Sequence, residues 1–357
     1  MNCTFCGACC AQVRGEPWLS QLPIRADGSC ANYDRWTKQC MIYETRPDIC
    51  RNDDTNHAQV EKHCDKVHLE VYGVSRERDK ECEHLDPVLK LQFETVSTCN
   101  AACHFCVYPQ VASMRRGQVM DMDMFKRVVN EAAGIRVIGR YSLQGLGEPL
   151  LDPYLIERVK YIREKDPNCE IELFTNGVAA TPRKLFDLHA AGLSCIVFSL
   201  NAVRGDQHEK IMGLKNKFNQ VCASIEKASE LDWAVRVHTV EDGKNFVRED
   251  SVIFRQRWGN LGQVIAIGNW GADIDTTYRG FKPNEACDRA LQMIYVMWDG
   301  RVTMCCFDPL GEGAVFGDLR KQTLREIYSS EEYVKFREDH FNNKADRHER
   351  CAGCTRI

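Results

Sequence analysis

The sequence predicts an α/β fold in which a parallel sheet of six βα units lies between two cysteine-rich ends. Two observations carry that prediction. From about residue 88 to 269, short β-type apolar runs alternate with amphipathic helical runs, the pattern of consecutive βα units. The 20 cysteines also cluster, with nine before residue 90, three at 99–106 and five from Cys287 onward.

The strands are expected at 89–96, 135–143, 170–174, 195–200, 234–240 and 264–267. Helices are expected between them near 121–133, 153–165, 182–191, 216–231 and 246–258. Thr181-Pro182 gives one of these an N-cap followed by proline at the first helical position. Residues 65–87 are charged and read as a linker, with Asp86-Pro87 leading into the first strand. The domain boundaries that follow are 1–85, 86–280 and 281–357.

At 357 residues the chain is long enough for two or three domains and a proper core. Its 47 basic and 51 acidic residues give a net charge of −4 and are mixed along the length. Nothing in that balance suggests a general polyanion binder, and it leaves a single nucleic-acid substrate open. No apolar run reaches the roughly 20 residues of a membrane span, and the first residues are not a signal peptide. A cytoplasmic chain with reduced thiols is expected, so its cysteines need a role other than disulfides. Cys169, Cys195 and Cys222 stand apart in strand- or helix-like sequence and read as buried small hydrophobes.

Just after the first strand comes Cys99-Asn-Ala-Ala-Cys103-His-Phe-Cys106. Three thiolates this close can hold three irons of a [4Fe–4S] cluster and leave the fourth open to a ligand. A zinc knuckle or a few buried thiols is the plainer alternative. The triplet, including Phe105 before its third cysteine, resembles the signature of the radical S-adenosylmethionine enzymes. That resemblance implies a partial (β/α)6 TIM-like barrel and S-adenosylmethionine chelated at the open iron. It also implies reductive cleavage to a 5′-deoxyadenosyl radical that takes hydrogen from the substrate. In parallel barrels the chemistry lies at the C-terminal ends of the strands, where this triplet falls.

Later strand ends agree. Gln144-Gly-Leu-Gly147-Glu148-Pro149 resembles the family's "GGE" motif, with Leu146 at its first glycine, and Thr175-Asn176-Gly177 resembles its polar ribose loop. Ser199-Leu200-Asn201 resembles its "SLD" segment with Asn for Asp. Ser199 and Asn201 alternate onto one face of the strand. The resemblance implies that Phe105, Gly147, Glu148, Asn176, Ser199 and Asn201 contact the cofactor. Taken singly, each polar residue could as well be a strand-end cap. Arg236 and His238 share a face of the fifth strand and point to the same end.

The C-terminal region opens with Cys287. Residues 295–305 read as a β-hairpin turning at Asp299-Gly300, and Cys351-Ala-Gly-Cys354 closes the region. Helices are expected near 323–329 and 331–342. This resembles the SPASM/twitch extension of radical S-adenosylmethionine enzymes, in its shorter twitch form. It implies that Cys287, Cys305, Cys351 and Cys354 ligate one auxiliary [4Fe–4S] cluster, with Cys306 able to replace Cys305. Zinc is the rival metal for such a thiolate set.

At the other end Cys3, Cys6, Cys9, Cys10, Cys30, Cys40 and Cys50 stand in a compact series with Arg46-Pro47 and Arg51. The series resembles the small CxxCxxCC family described as zinc- or iron-chelating. Soft thiolates suit an Fe–S cluster and zinc alike. Cys64, Cys82, His57 and His63 could complete a second site.

The expected activity is therefore radical chemistry on a substrate, most simply small-molecule dehydrogenation with the auxiliary cluster as electron acceptor. Modification of a ribosomal peptide, a nucleoside or a nucleic acid is the alternative. A small molecule or peptide substrate and an electron donor such as flavodoxin or ferredoxin are the implied partners, with no membrane.

Overall fold

The computed structural model describes residues 90–115, 117–135, 140–266, 287–352 and 354. All lie within one compact unit, Pro87–Ile357. The N-terminal cysteines, Cys3, Cys6, Cys9, Cys10, Cys30, Cys40 and Cys50, lie outside the described residues, as do Cys64, Cys82 and the linker. No helix among the described residues is long and apolar enough to cross a membrane.

The chain runs β1 (Lys90–Phe93), α1 (Tyr108–Arg115), α2 (Met122–Ile135), β2 (Arg140–Leu143), α3 (Leu155–Lys165), β3 (Glu170–Thr175) and α4 (Pro182–Ala190). It continues through β4 (Cys195–Ser199), α5 (Gly205–Met212), α6 (Phe218–Ala228), β5 (Ala234–Glu241), α7 (Arg248–Trp258) and β6 (Gly262–Ala266). The last part holds α8 (Asp288–Gln292), β7 (Met293–Val296), β8 (Arg301–Thr303), β9 (Val315–Asp318), α9 (Leu324–Tyr328), α10 (Glu331–Phe341) and α11 (Glu349–Ala352). Strands β1 to β6 are sheet neighbours in sequence order and all parallel. This is the mixed α/β arrangement of a partial TIM-like barrel.

The two faces of β1 show how the sheet sorts its residues. Leu91 and Phe93 are fully buried, and the Phe93 ring lies 4.9 Å from that of Phe125 on α2. The alternate positions are polar: Lys90 Nζ is 2.6 Å from Glu172 Oε1, and Gln144 Nε2 donates to Gln92 Oε1 at 3.1 Å. Thr181 caps α4 as its sequence predicts, accepting from Lys184 N at 3.3 Å.

The structure departs from the sequence reading at identifiable places. Strand β1 ends at Phe93, and beyond it Val96 forms only an isolated bridge to Val119. Ile135 ends α2, so the second strand starts at Arg140 and not at 135. Helices α1 and α5 were not expected, and neither was β9. The hairpin does turn at Asp299-Gly300, where Gly300 has φ 89°. Its first strand, β7, pairs in parallel with β1, with Gln92 beside Tyr295. The C-terminal region thus extends the same nine-stranded sheet, in the order β6-β5-β4-β3-β2-β1-β7-β8-β9.

Candidate active site and second cysteine site

The triplet loop leaves β1 and is fastened before it is functional. Ala102 N donates to Met212 O at 2.8 Å and His104 N to Ile211 O at 3.0 Å, so the end of α5 holds the loop's backbone. His104 Nε2 lies 2.7 Å from Asp242 Oδ2 past the end of β5. Cys103 and Cys106 close a turn, with Cys106 N donating to Cys103 O at 3.1 Å.

The triplet sulfurs accept from nearby backbone and pack on apolar side chains. Ala101 N donates to Cys99 Sγ and Tyr108 N to Cys106 Sγ, each at 3.4 Å. Val107, Tyr108, Val111, Ala112 and Leu146 form an apolar cluster against which Cys99 and Cys106 pack. All described cysteines are free thiols. Burial pushes the Cys99 thiol up to about 12 and Cys106 to about 11. Burial also raises Cys103 well above its ordinary value, and the negative charges of Cys106 and Cys99 add to the effect. Three half-buried cysteines that resist ionising together are a donor set that a cationic iron centre would relieve. Among the described residues no three His, Cys, Asp or Glu side chains close on a single metal ion. A cubane does not ask for that, because each cysteine binds its own iron.

Beside the triplet the β2 loop is built around two glycines. A Cβ on Gly147 would collide with Val96 O, and one on Gly145 would lie 2.5 Å from Glu94 Cβ. This closeness lets Glu148 N donate to Thr98 O at 2.8 Å. The buried Glu148 carboxylate accepts from Leu150 N (3.1 Å), Thr175 Oγ1 (2.6 Å) and Asn176 N (2.7 Å). Burial outweighs these bonds and raises its pKa. Asn176 Nδ2 in turn donates to Asn100 Oδ1 in the triplet loop at 2.7 Å. Glu148, Asn176 and the triplet therefore form one hydrogen-bonded unit.

Ser199 ends β4, and His238 is its register neighbour on β5, with Arg236 beside Val197 two residues earlier. The expectation that Asn201 shares a strand face with Ser199 does not hold. Asn201 adopts φ 54°, its Oδ1 accepts from Val240 N at 3.1 Å, and it is 2% exposed. Asn tolerates the left-handed region, so it can end the strand and cap its neighbour. Phe105 is partly buried, its ring edge-on to His104 at 5.2 Å.

A second site lies in the C-terminal region. Cys287, Cys305, Cys351 and Cys354 line a single cavity with Arg289, Phe307, Asp308, His340 and Arg350. Cys305, not Cys306, lines it. Burial raises Cys287 and takes Cys351 up to about 12, while a hydrogen bond from the Cys305 thiol to Cys306, together with burial, raises Cys305 well above its ordinary value. Asp308 braces the Cys305 loop by accepting from Glu312 N (2.9 Å), Gly313 N (3.0 Å) and Ala314 N (3.2 Å).

Sequence reasoning missed the piece that ties the two sites together. Arg115, at the end of α1, donates through Nη2 to both Glu94 oxygens at 2.5 Å and through Nη1 to Pro309 O at 2.9 Å. A lone arginine and a lone glutamate carry no spacing signal.

Comparison with known proteins identifies the domains that carry these sites. A family model for the radical SAM superfamily matches residues 93–245, and one for the SPASM iron-sulfur cluster-binding domain matches 287–355. The chain carries a radical SAM domain followed by a SPASM domain. Among curated proteins, the S-adenosyl-L-methionine-dependent 2-deoxy-scyllo-inosamine dehydrogenase of Niallia circulans is 22% identical over 75% of this chain and 92% of its own. A GTP 3′,8-cyclase of Desulforamulus reducens is 32% identical, over 40% of this chain and 43% of its own, so the match takes in less than half of that protein. Among solved structures, BtrN in complex with AdoMet and 2-DOIA superposes with a TM-score of 0.55 at 20% identity, covering 76% of this chain and 94% of that one. Streptococcus suis SuiB bound to its precursor peptide gives 0.60 at 12% identity, covering 77% and 71%. This radical SAM protein is an enzyme, and its two domains imply S-adenosylmethionine, a [4Fe–4S] cluster and auxiliary clusters.

Proposed function

We propose that this radical SAM enzyme dehydrogenates a small molecule, with an auxiliary cluster in the SPASM domain as electron acceptor. Cys99, Cys103 and Cys106 would hold the cluster that binds S-adenosylmethionine, and Cys287, Cys305, Cys351 and Cys354 the auxiliary one. When bound, the first cluster and S-adenosylmethionine supply a 5′-deoxyadenosyl radical that takes a hydrogen atom from the substrate. The protein's own part is to orient and to exclude water. Gly147 admits the loop backbone beside the triplet, and Glu148 keeps a buried carboxylate there for the cofactor's ammonium. Asn176 and Ser199 offer polar groups at neighbouring strand ends, and Asn201 fixes the β4 exit behind them.

One observation carries the choice of dehydrogenation. Strands β1 and β7 are neighbours, so the triplet and the four-cysteine cavity depend from adjacent strands of one sheet, braced by Arg115. A fully ligated cluster has no iron to offer a substrate, so electron transfer is its natural task, and a substrate radical losing hydrogen must hand on one electron. The similarity to a dehydrogenase over 75% of this chain and 92% of that protein supports the same reading. A flavodoxin or ferredoxin would serve as the reductant.

The test is deuterium transfer under anaerobic conditions with S-adenosylmethionine and dithionite. The enzyme is given either a deuterium-labelled small-molecule extract or a labelled peptide fraction. Label should enter 5′-deoxyadenosine from the small molecules, with a product two hydrogens lighter than its precursor. Transfer from the peptide fraction alone would overturn the proposal and favour a peptide-modifying enzyme.

A further inference from the structure

The two arginines at the C-terminal cavity are paired differently. The Arg350 Nε lies 3.3 Å from Asp308 Oδ1, and its guanidinium also bonds Glu312, so acidic groups surround its charge. Arg289 is partly buried two residues after Cys287, with its guanidinium 4.6 Å from the centre of the Phe307 ring. Its Nη1 donates to Cys306 Sγ at 3.8 Å, and its described contacts include no carboxylate. His340, also on the cavity wall, is kept toward its neutral form by burial. Arg289 is therefore the cation that the cavity turns toward its sulfurs.

We propose that Arg289 is the countercharge of the auxiliary cluster and holds its reduction potential up. The inference rests on the four-cysteine cavity holding such a cluster. A thiolate-ligated cubane is an anion, and accepting one electron adds one more negative charge to it. A fixed cation in a poorly hydrated site favours the more negative state, and net charge and hydrogen bonds to sulfur are among the features that set such potentials. Guanidinium suits the role because it is weakly hydrated, stacks on Phe307 and donates to sulfur without losing its proton. The consequence for catalysis is direct: a raised potential makes the cluster a better acceptor for an electron leaving a substrate radical.

The experiment is an anaerobic redox titration of the reconstituted full-length enzyme, followed by electron paramagnetic resonance and paired with iron analysis. Arg289→Gln keeps a hydrogen-bond donor and removes the charge, so its auxiliary signal should appear only at more negative potential. Arg289→Lys keeps the charge and should stay nearer the wild-type value. The triplet cluster's titration should not move in either variant. Should the glutamine variant lose about four irons, the lysine variant decides the matter. Retained iron at a near wild-type potential supports a charge role, and lost iron assigns Arg289 to packing and overturns it. Full iron content with an unmoved auxiliary potential in Arg289→Gln would overturn the inference alone. Wild-type enzyme holding iron for one cubane only would overturn the auxiliary-cluster reading beneath it.

Discussion

The two cysteine sites of the described chain are built by opposite means. The triplet spans eight consecutive residues, with a turn joining Cys103 to Cys106, so its members are close in the chain before the end of α5 fastens the loop. The other set comes from Cys287 at the start of α8, Cys305 after β8, and Cys351 and Cys354 at and beyond α11. Those four meet only because β7 joins β1 and α10 folds back so that Phe336 and His340 close the cavity wall. Their surroundings differ as well. Cys99 and Cys106 sit against an apolar shell and backbone N–H groups, whereas the second cavity carries Arg289, Arg350 and Asp308. A local site can tolerate a relaxed fold, while an assembled site requires the fold first.

That contrast is open to direct attack. The largest effect is expected from Cys99→Ala, Cys103→Ala or Cys106→Ala, each of which should abolish reductive cleavage of S-adenosylmethionine. Two thiolates cannot hold a three-point cubane. Each variant should still retain about four irons at the second site. Unchanged 5′-deoxyadenosine formation in any one of them would remove the triplet from the mechanism.

Removing Cys351 and Cys354 together should lose about four irons in the complementary sense. Cleavage of S-adenosylmethionine should persist there while formation of oxidised product falls. Elemental analysis that finds zinc instead of the missing iron in the wild type would refute the auxiliary [4Fe–4S] assignment.

A smaller effect, on stability, tests the tie between the sites. Arg115→Met would leave the fully buried Glu94 carboxylate without its partner, which should cost about 3–5 kcal/mol. Burial already raises the Glu94 pKa against the pull of Arg115. With the arginine gone it would rise further, so the folded state would hold a proton that the unfolded chain releases. The destabilisation should therefore be small near about pH 4 and grow as the pH rises to about 7. Denaturant unfolding at the two pH values measures it, and a cost that does not depend on pH would show that Arg115 acts through packing alone.

Much of this was readable in advance where a signal is local. Six strands appear in the expected order because each is a short apolar run between turn signals, and Thr181-Pro182 starts a helix wherever it is placed. Helix α1 was missed because its sequence, Tyr-Pro-Gln-Val-Ala-Ser-Met-Arg, has little amphipathic pattern and carries a proline that reads as punctuation. Asn201 was misplaced because strand alternation was carried one step too far. The residue type did hold a clue, since Asn is among the side chains that accept positive φ. Glu94, Arg115 and Arg289 gave no warning, because an isolated charge reads the same whether it lies on a surface or beside a sulfur.

The sequence by itself determined the spacing of the triplet and the alternation of strand and helix. Both are set by spacings of a few residues, and backbone geometry turns such spacings into fixed distances. Only the tertiary structure decided that β7 lies against β1 and that Cys305 rather than Cys306 faces the cavity. It likewise decided that Arg115 spans the two sites and that Arg289 faces the cavity's sulfurs. Those outcomes depend on contacts between residues up to about two hundred positions apart. There, burial and pairing of charge, not local periodicity, select the arrangement.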